Sequence, residues 1–146
     1  MTWDAGCNGS SKLEEGVSAG LKSMARTDDA SIGNEVVLWR AFSDLQVCLE
    51  SDGTERPESW AFRDQTNEVS VFVAEETDIE WLHALLPGTR IAAITAGGAR
   101  ECGFLVTRDP LPGQPSHALI CPLPQTRKSK GENARRLARR ARMVQR

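Results

Sequence analysis

The sequence is poor in the residue types that build most reactive centres. Its 146 residues include no tyrosine, two histidines and four cysteines. The cysteines lie far apart, and no short Cys or His spacing of the kind that holds zinc is present, so no metal site is predicted. No apolar run is long enough to span a bilayer, and the first residues lack the basic and apolar regions of a secretion signal. We therefore expect a cytoplasmic protein with reduced thiols.

Sequence motifs of common catalytic and nucleotide-binding sites are also missing. There is no G-x-S-x-G nucleophile motif and no P-loop. The stretch ITAGGAREC (94–102) has two adjacent glycines, but it lacks the glycine spacing of a dinucleotide-binding turn and the lysine of a P-loop. No cofactor is predicted, and motifs alone assign no catalytic residue.

Charge is divided unevenly along the chain. Residues 1–125 hold nine Lys/Arg against nineteen Asp/Glu, a net charge of −10, whereas residues 126–146 hold nine against one, a net charge of +8. After Asn133 as a cap, apolar residues recur at helical spacing, namely Ala134, Leu137, Ala138, Ala141 and Val144. Five arginines occupy the other faces, Arg135, Arg136, Arg139, Arg140 and Arg142. This pattern predicts a basic amphipathic helix over 126–146.

Three roles are open for this helix. Its Ala/Leu stripe could dock on the domain and leave the arginines solvated, or the whole tail could lie against the acidic body. Alternatively, the arginines could bind a partner or neutralise the phosphates of a nucleic acid. The tail has no aromatic residue for base stacking, which disfavours single-strand binding. We predict docking first and nucleic-acid binding second.

The rest of the chain predicts one small domain. Residues 1–33 are rich in small and polar residues and are predicted to form a mobile leader, followed by a domain over 34–125. Its predicted strands are EVVLWRAF (35–42), DLQVCLE (44–50, half-buried), EVSVFVAE (68–75), TRIAAITA (89–96), FLVTR (104–108) and HALICP (117–122). DIEWLHALL (78–86) predicts a helix, and GGARECG (97–103) a helical turn. The fold class is therefore α+β, with a largely antiparallel sheet, one or two short helices and a basic C-terminal helix.

Arg40 is the first candidate for a functional side chain. A guanidinium at the end of an apolar strand needs an acceptor, which could be the carboxylate of Asp44 or Glu68. It could instead grip a phosphate or carboxylate ligand, assisted by Ser70 from a neighbouring strand.

His117 is the second candidate, because it follows a proline-rich loop in RDPLPGQPSHALI (108–120). Three prolines restrict φ and remove backbone donors, so the loop is predicted to be stiff and to hold His117 at the start of a strand. The ring is predicted to hydrogen-bond to the loop's own backbone. It becomes a catalytic candidate only if Arg40 and Ser70 face it.

Two resemblances accompany these residues. The order of LWRAF, RPESWAF, VSVF and RDPLPGQPSHALI, followed by a basic helix, is similar to a widespread group of small bacterial proteins. That resemblance implies a compact cytoplasmic domain with the last helix inside the fold, and it supplies no mechanism. The chain also faintly resembles ADP-ribosyltransferase-like domains, including RES domains. This second resemblance implies NAD-related roles for Arg40 and Ser70, with Glu75 or Glu76 as a third group, but the family's late Gln-x-Glu or Glu-x-Glu pair and its tyrosines are absent.

The leading functional hypothesis is an interaction or accessory module rather than an enzyme, since no convincing catalytic set is present. A protein partner is expected and a membrane is not; toxin and defence systems are one setting for such a module. The alternatives are an NAD- or nucleotide-binding ADP-ribosyltransferase-like enzyme, and nucleic-acid binding through the basic helix.

Overall fold

A computed structural model describes residues 26–62, 68–123 and 130–144. These residues form a six-stranded sheet, a two-stranded hairpin and three α-helices. The strands are β1 (Val37–Ser43), β2 (Val47–Leu49), β3 (Glu55–Pro57), β4 (Val69–Val73), β5 (Thr89–Thr95), β6 (Phe104–Arg108), β7 (His117–Pro122) and β8 (Arg142–Met143). The helices are α1 (Ile79–Leu85), α2 (Ala96–Glu101) and α3 (Lys130–Arg140). The predicted α+β class is confirmed.

The six-stranded sheet has the order β6-β7-β4-β1-β5-β8, and every neighbouring pair is antiparallel. β1 lies inside the sheet, with Leu38 opposite Val73 of β4 on one side and Ile94 of β5 on the other. β2 and β3 pair only with each other and form the hairpin. No helix in the described ranges is long and apolar enough to cross a membrane.

Alternation along the strands divides the core between the two faces of the sheet. Val69, Val71 and Val73 lie on the face that packs against α2 and α3, as their spacing predicted. We call this the main face. Phe72 lies on the opposite face and packs with Leu82 of α1. The Asp78 carboxylate accepts the Glu80 N–H and caps α1 where the sequence indicated.

The predicted leader boundary at residue 34 is wrong for residues 26–33, which pack on the domain. Ile32 is buried in the main core. The Asp29 N–H donates to the carbonyl oxygen of Val106 (2.8 Å), and the Asp28 carboxylate accepts the Val106 N–H (2.9 Å). These bonds satisfy main-chain groups that the edge strand β6 would otherwise leave unpaired. The remainder of the predicted leader lies outside the described residues.

The segment 44–50 is not the half-buried strand that its alternation predicted. The Ser43 hydroxyl accepts the Leu45 N–H, and the Gln46 side chain accepts the Ser43 N–H, so the chain leaves β1 through the short 3-10 turn Asp44–Gln46. It then continues as β2, away from the six-stranded sheet. The leucines of this segment consequently face solvent.

The C-terminal helix is docked and begins earlier than predicted. α3 starts at Lys130, and Asn133 is a buried residue inside it rather than its cap. The predicted apolar stripe contacts the main core through Ala134, Leu137, Ala138 and Ala141.

The end of the predicted helix is also wrong. The helix stops at Arg140, and the next residues form β8 along the edge of β5, with the Val144 N–H donating to the carbonyl oxygen of Ile91 (2.9 Å). Ladder hydrogen bonds to an open sheet edge replace those of another helical turn. The other residues assigned to the predicted helix, 126–129 and 145–146, lie outside the described ranges.

Candidate functional site

Arg40 links two elements of the fold. Its Nε donates to the carbonyl oxygen of Ala61 (2.8 Å), and its Nη1 donates to that of Ser70 (3.0 Å). The first acceptor lies in the 3-10 turn Ser59–Phe62 and the second at the start of β4. The guanidinium therefore holds this turn against the sheet.

The two carboxylates suggested for Arg40 contact other arginines. Asp44 forms an ion pair with Arg90 (3.3 Å), and Glu68 forms one with Arg26 (2.9 Å). The carboxylate interpretation of Arg40 is corrected accordingly: the bonds described above run to main-chain oxygens. A guanidinium satisfies such carbonyls well, because its donors form a rigid planar fork.

His117 has only 5% of its surface exposed and sits at the first position of β7. Its Nδ1 lies 2.8 Å from the main-chain oxygen of Asp109 and 3.3 Å from the carboxylate of the same residue. The ring meets Phe72 edge-on, with centroids 5.5 Å apart. These contacts are the local backbone attachment that the sequence suggested.

The proline-rich loop before His117 is closed by a tight turn. Leu111 and Gln114 exchange both main-chain hydrogen bonds, and Gly113 between them has φ of 74°. Pro112 followed by a glycine at positive φ is the sequence of a type II turn. A second tie joins the Ser116 hydroxyl to that of Thr77 (2.8 Å), so the loop is held at its tip and at its base.

Arg40, Ser70 and His117 do not converge. Since Leu38 pairs with Val73 and residues alternate along a strand, the Arg40 side chain projects from the main face. Ser70 and His117 project from the opposite face, which they share with Phe72. The arrangement that an ADP-ribosyltransferase-like site requires is therefore not formed by these residues.

The glutamates proposed as the third member of that site lie in the 3-10 turn Ala74–Glu76. Glu76 receives two hydrogen bonds from the Arg108 guanidinium, both 2.8 Å long. These bonds lower the pKa of Glu76 below its usual value. Glu76 is thus a fixed anion paired within the fold, whereas Glu75 is exposed.

The thiols are not activated. Burial, followed by the negative charge of Glu68, raises the pKa of Cys121 to about 12. Partial burial and the charges of Glu58 and Glu50 raise the pKa of Cys48. A raised pKa keeps the thiol protonated at neutral pH and removes its nucleophilic form. Within the described part of the chain, no three His, Cys, Asp or Glu side chains are grouped to hold a metal ion.

Two arginines of α3 are used by the fold itself. The Arg136 guanidinium lies over the Phe104 ring, 6.0 Å from its centroid. Arg140 forms an ion pair with Glu101 of α2. Both contacts fasten the helix to the domain.

Three other arginines of the tail are exposed. Arg135 and Arg139 lie one helical turn apart on α3, and Arg142 follows on β8. They form no ion pair with any residue that the structure describes. Of the five arginines singled out in the tail, these three are the ones available to a partner.

A groove lies between the hairpin and β8, with a volume of about 710 Å³. Its lining residues are Leu49, Gly53, Thr54, Glu55 and Arg56 from the hairpin, Arg90 from β5, and Ala141, Arg142, Met143 and Val144. None of the three predicted catalytic candidates lines it.

The charges in this groove differ in their surroundings. Arg90 donates to Glu55 and to Asp44, and the hydrogen bonds with Glu55 raise its pKa. By contrast, Arg56 and Arg142 form no ion pair among the described residues. The groove therefore presents two uncompensated positive charges on either side of a neutralised one.

Exposed apolar side chains accompany the groove. Leu45, Leu49 and Trp60 have 90%, 72% and 56% of their surface exposed. We call these three residues the hairpin patch; they belong to β2 and to the two 3-10 turns beside the hairpin. The Gln46 side chain joins the two turns by donating to the carbonyl oxygen of Trp60 (3.3 Å).

Sequence reasoning did not find the hairpin patch. The alternation of Leu45, Val47 and Leu49 indicated burial against a sheet. The Ser43…Gln46 spacing, which is that of a capping box, was the signal that the chain turns away after β1.

Comparisons of the chain with protein-family models, with curated proteins and with solved structures give no match. Function is therefore argued from the geometry described above.

Proposed function

We propose that the chain is a cytoplasmic protein-interaction module that binds a partner through the hairpin patch. The observation that carries the proposal is the exposure of Trp60 beside Leu45 and Leu49. Single exposed leucines are ordinary, but a tryptophan grouped with two leucines and bordered by arginines has the composition of an interface centre. Burying such side chains on binding contributes about 25 cal/mol per Å² of apolar surface.

The state of the candidate catalytic groups supports an interaction role. Arg40 and His117 are engaged by main-chain oxygens. The pKa of the Cys121 thiol is raised to about 12. These groups act in folding, which leaves the hairpin patch as the exposed feature that folding does not require.

Affinity capture with the full chain from its native cells tests the proposal. The double variant Leu45→Ser/Trp60→Ser is expected to lose a stoichiometric partner by tenfold or more, about 1.4 kcal/mol. Leu111→Ser is the matched control, because Leu111 is an exposed leucine of the proline-rich loop away from the patch. Equal recovery of the partner with the double variant, or recovery of none with the unmodified chain, contradicts the proposal.

A second candidate function is binding of a nucleic-acid backbone by Arg135, Arg139 and Arg142. It is favoured by the absence of an ion pair for these side chains within the described residues, since unpaired arginines on an exposed face can neutralise phosphates.

Fluorescence anisotropy with a labelled DNA duplex, followed over a range of salt concentrations, tests this candidate. Arg135→Glu/Arg139→Glu is expected to weaken binding and to reduce the slope of log K against log salt by about 2, since each phosphate contact contributes about 0.9. Arg56→Gln, which removes an arginine outside α3, is the control. An unchanged slope in the double variant argues against phosphate contacts by the helix.

A further inference from the structure

The two edges of the six-stranded sheet are treated differently. On the β6 edge, Asp28 and Asp29 occupy the N–H and the carbonyl oxygen of Val106. The opposite edge is β8, which pairs with β5 on one side and borders the groove on the other. Unprotected edges accept strands from other chains, so a protein that blocks only one edge leaves the other available for pairing.

The register of β8 shows which main-chain groups it offers. Met143 lies opposite Ala92, and the Val144 N–H donates to the carbonyl oxygen of Ile91. Alternate residues of an antiparallel strand direct their N–H and C=O groups to opposite sides. Val144 and Arg142 therefore turn these groups towards β5, whereas Met143 turns its N–H and C=O towards the groove.

The groove is large enough for a segment of chain. Its volume of about 710 Å³ lies within the range of about 300–1,000 Å³ typical of ligand sites. Four consecutive residues, Ala141 to Val144, form one wall, and hairpin residues 53–56 form the other. An extended segment advances about 3.3 Å per residue and can follow such a wall over several residues.

The side chains of the groove define the chemistry of its occupant. Arg56 and Arg142 form no ion pair with described residues, and Leu49 supplies an exposed apolar surface between them. A carboxylate is the complement of an arginine, since the guanidinium can donate two parallel hydrogen bonds to it. A main-chain edge beside an apolar side chain suits a polypeptide better than a nucleic-acid backbone, because only the polypeptide can continue the hydrogen-bonded ladder.

We propose that this groove binds an extended acidic segment of a partner protein, which adds to β8 as a further strand. Carboxylates of the segment lie against Arg56 and Arg142, and an apolar side chain lies against Leu49. The inference rests on the proposed interaction function and names the partner's chemistry and its mode of binding.

A display library of random linear nine-residue peptides, selected on the purified full chain, tests the proposal. Selected peptides are expected to be enriched in Asp and Glu. The dissociation constant of the best peptide is expected to rise at least tenfold on Arg56→Glu/Arg142→Glu. It is expected to rise similarly when alternate peptide amides are N-methylated, because this removes the donors of the added strand. Selection repeated on the double variant is expected to favour Lys and Arg instead.

The remaining outcomes overturn the proposal. They are a selection without enrichment, a peptide that is insensitive to N-methylation, and a peptide whose affinity is unchanged in the double variant. Binding of a DNA duplex that depends on Arg56 and Arg142, with no peptide selected, assigns the groove to nucleic acid and also overturns it. If the hairpin-patch variant loses its partner while Arg56→Glu/Arg142→Glu retains it, the interaction function stands and the strand-addition mode is wrong.

Discussion

Removing α3 and β8 abolishes the cooperative unfolding transition of the domain. A chain that ends after residue 129 is expected to show this result in thermal and denaturant unfolding. Leu137 is fully buried, and it contacts the main core together with Ala134 and Ala138. Loss of this layer leaves the apolar main face of the sheet in water. Since small domains are stable by about 5–15 kcal/mol, a deletion of this size exceeds what the remainder can absorb.

Point substitutions separate packing from charge in this result. Leu137→Ala is expected to lower the free energy of unfolding by about 2–5 kcal/mol, the range for a leucine removed from a core. Arg139→Ala, two positions further along the same helix and exposed, is expected to change it by less than about 0.5 kcal/mol. A truncated chain that keeps a cooperative transition at the same temperature would show that the helix is dispensable for folding.

Arg40→Ala is expected to lower the free energy of unfolding by about 2–4 kcal/mol. The substitution removes two charged donors and leaves the carbonyl oxygens of Ala61 and Ser70 without them. Each hydrogen bond to a charged group contributes about 1.5–3 kcal/mol, and an unsatisfied acceptor adds a desolvation cost. Arg40→Lys is not expected to restore stability, because a single ammonium group cannot reproduce the fork of Nε and Nη1. Urea unfolding of the three proteins gives the comparison.

Ser70→Ala is the matched control for Arg40→Ala. Arg40 contacts the main-chain oxygen of Ser70, so removal of the hydroxyl leaves that bond in place. Stability should then change by less than about 0.5 kcal/mol. Calorimetry with millimolar NAD is expected to show no binding by the unmodified chain. An Arg40→Ala variant that is as stable as the unmodified chain but loses measurable NAD binding would contradict the structural role.

Much of the sheet could be predicted because its strands carry their own signals. The alternation of Val69, Val71 and Val73 matches a strand with one face in the main core, and β-branched residues suit a pleated surface. α1 was equally accessible, since Asp78 as cap and Leu82 as buried contact are local features. These elements depend on neighbours a few residues away, which a sequence displays directly.

The errors arose where distant contacts decide the outcome. Val144 fits a helical stripe by spacing, yet it continues the edge pairing with β5, more than fifty residues earlier in the chain. Leu45 and Leu49 fit a half-buried strand, but no sheet edge is available to them once the chain turns after Ser43. Periodicity records which residues could be buried together, whereas the partner that buries them is set by tertiary packing.

The candidate site was less predictable than the fold. The groove joins residues 49–56 with residues 141–144, and nothing in either stretch refers to the other. Arg40, Ser70 and His117 attracted attention as unusual residue types in apolar surroundings. Their environment explains them as attachments of the backbone, which is the commoner fate of isolated polar groups in a core.

The position of α3 and β8 as the last described elements affects how the chain folds during synthesis. β1 can pair with β4 and β5 as soon as these strands leave the ribosome, yet the main face stays uncovered until Leu137 has emerged. Nascent chains fold from the N-terminus at the pace of translation, about 5–20 residues per second. The partly made domain therefore exposes an apolar sheet and an unpaired β5 edge to the cytosol for several seconds. Chaperones that recognise such surfaces should engage it at this stage and release it once the final helix has docked.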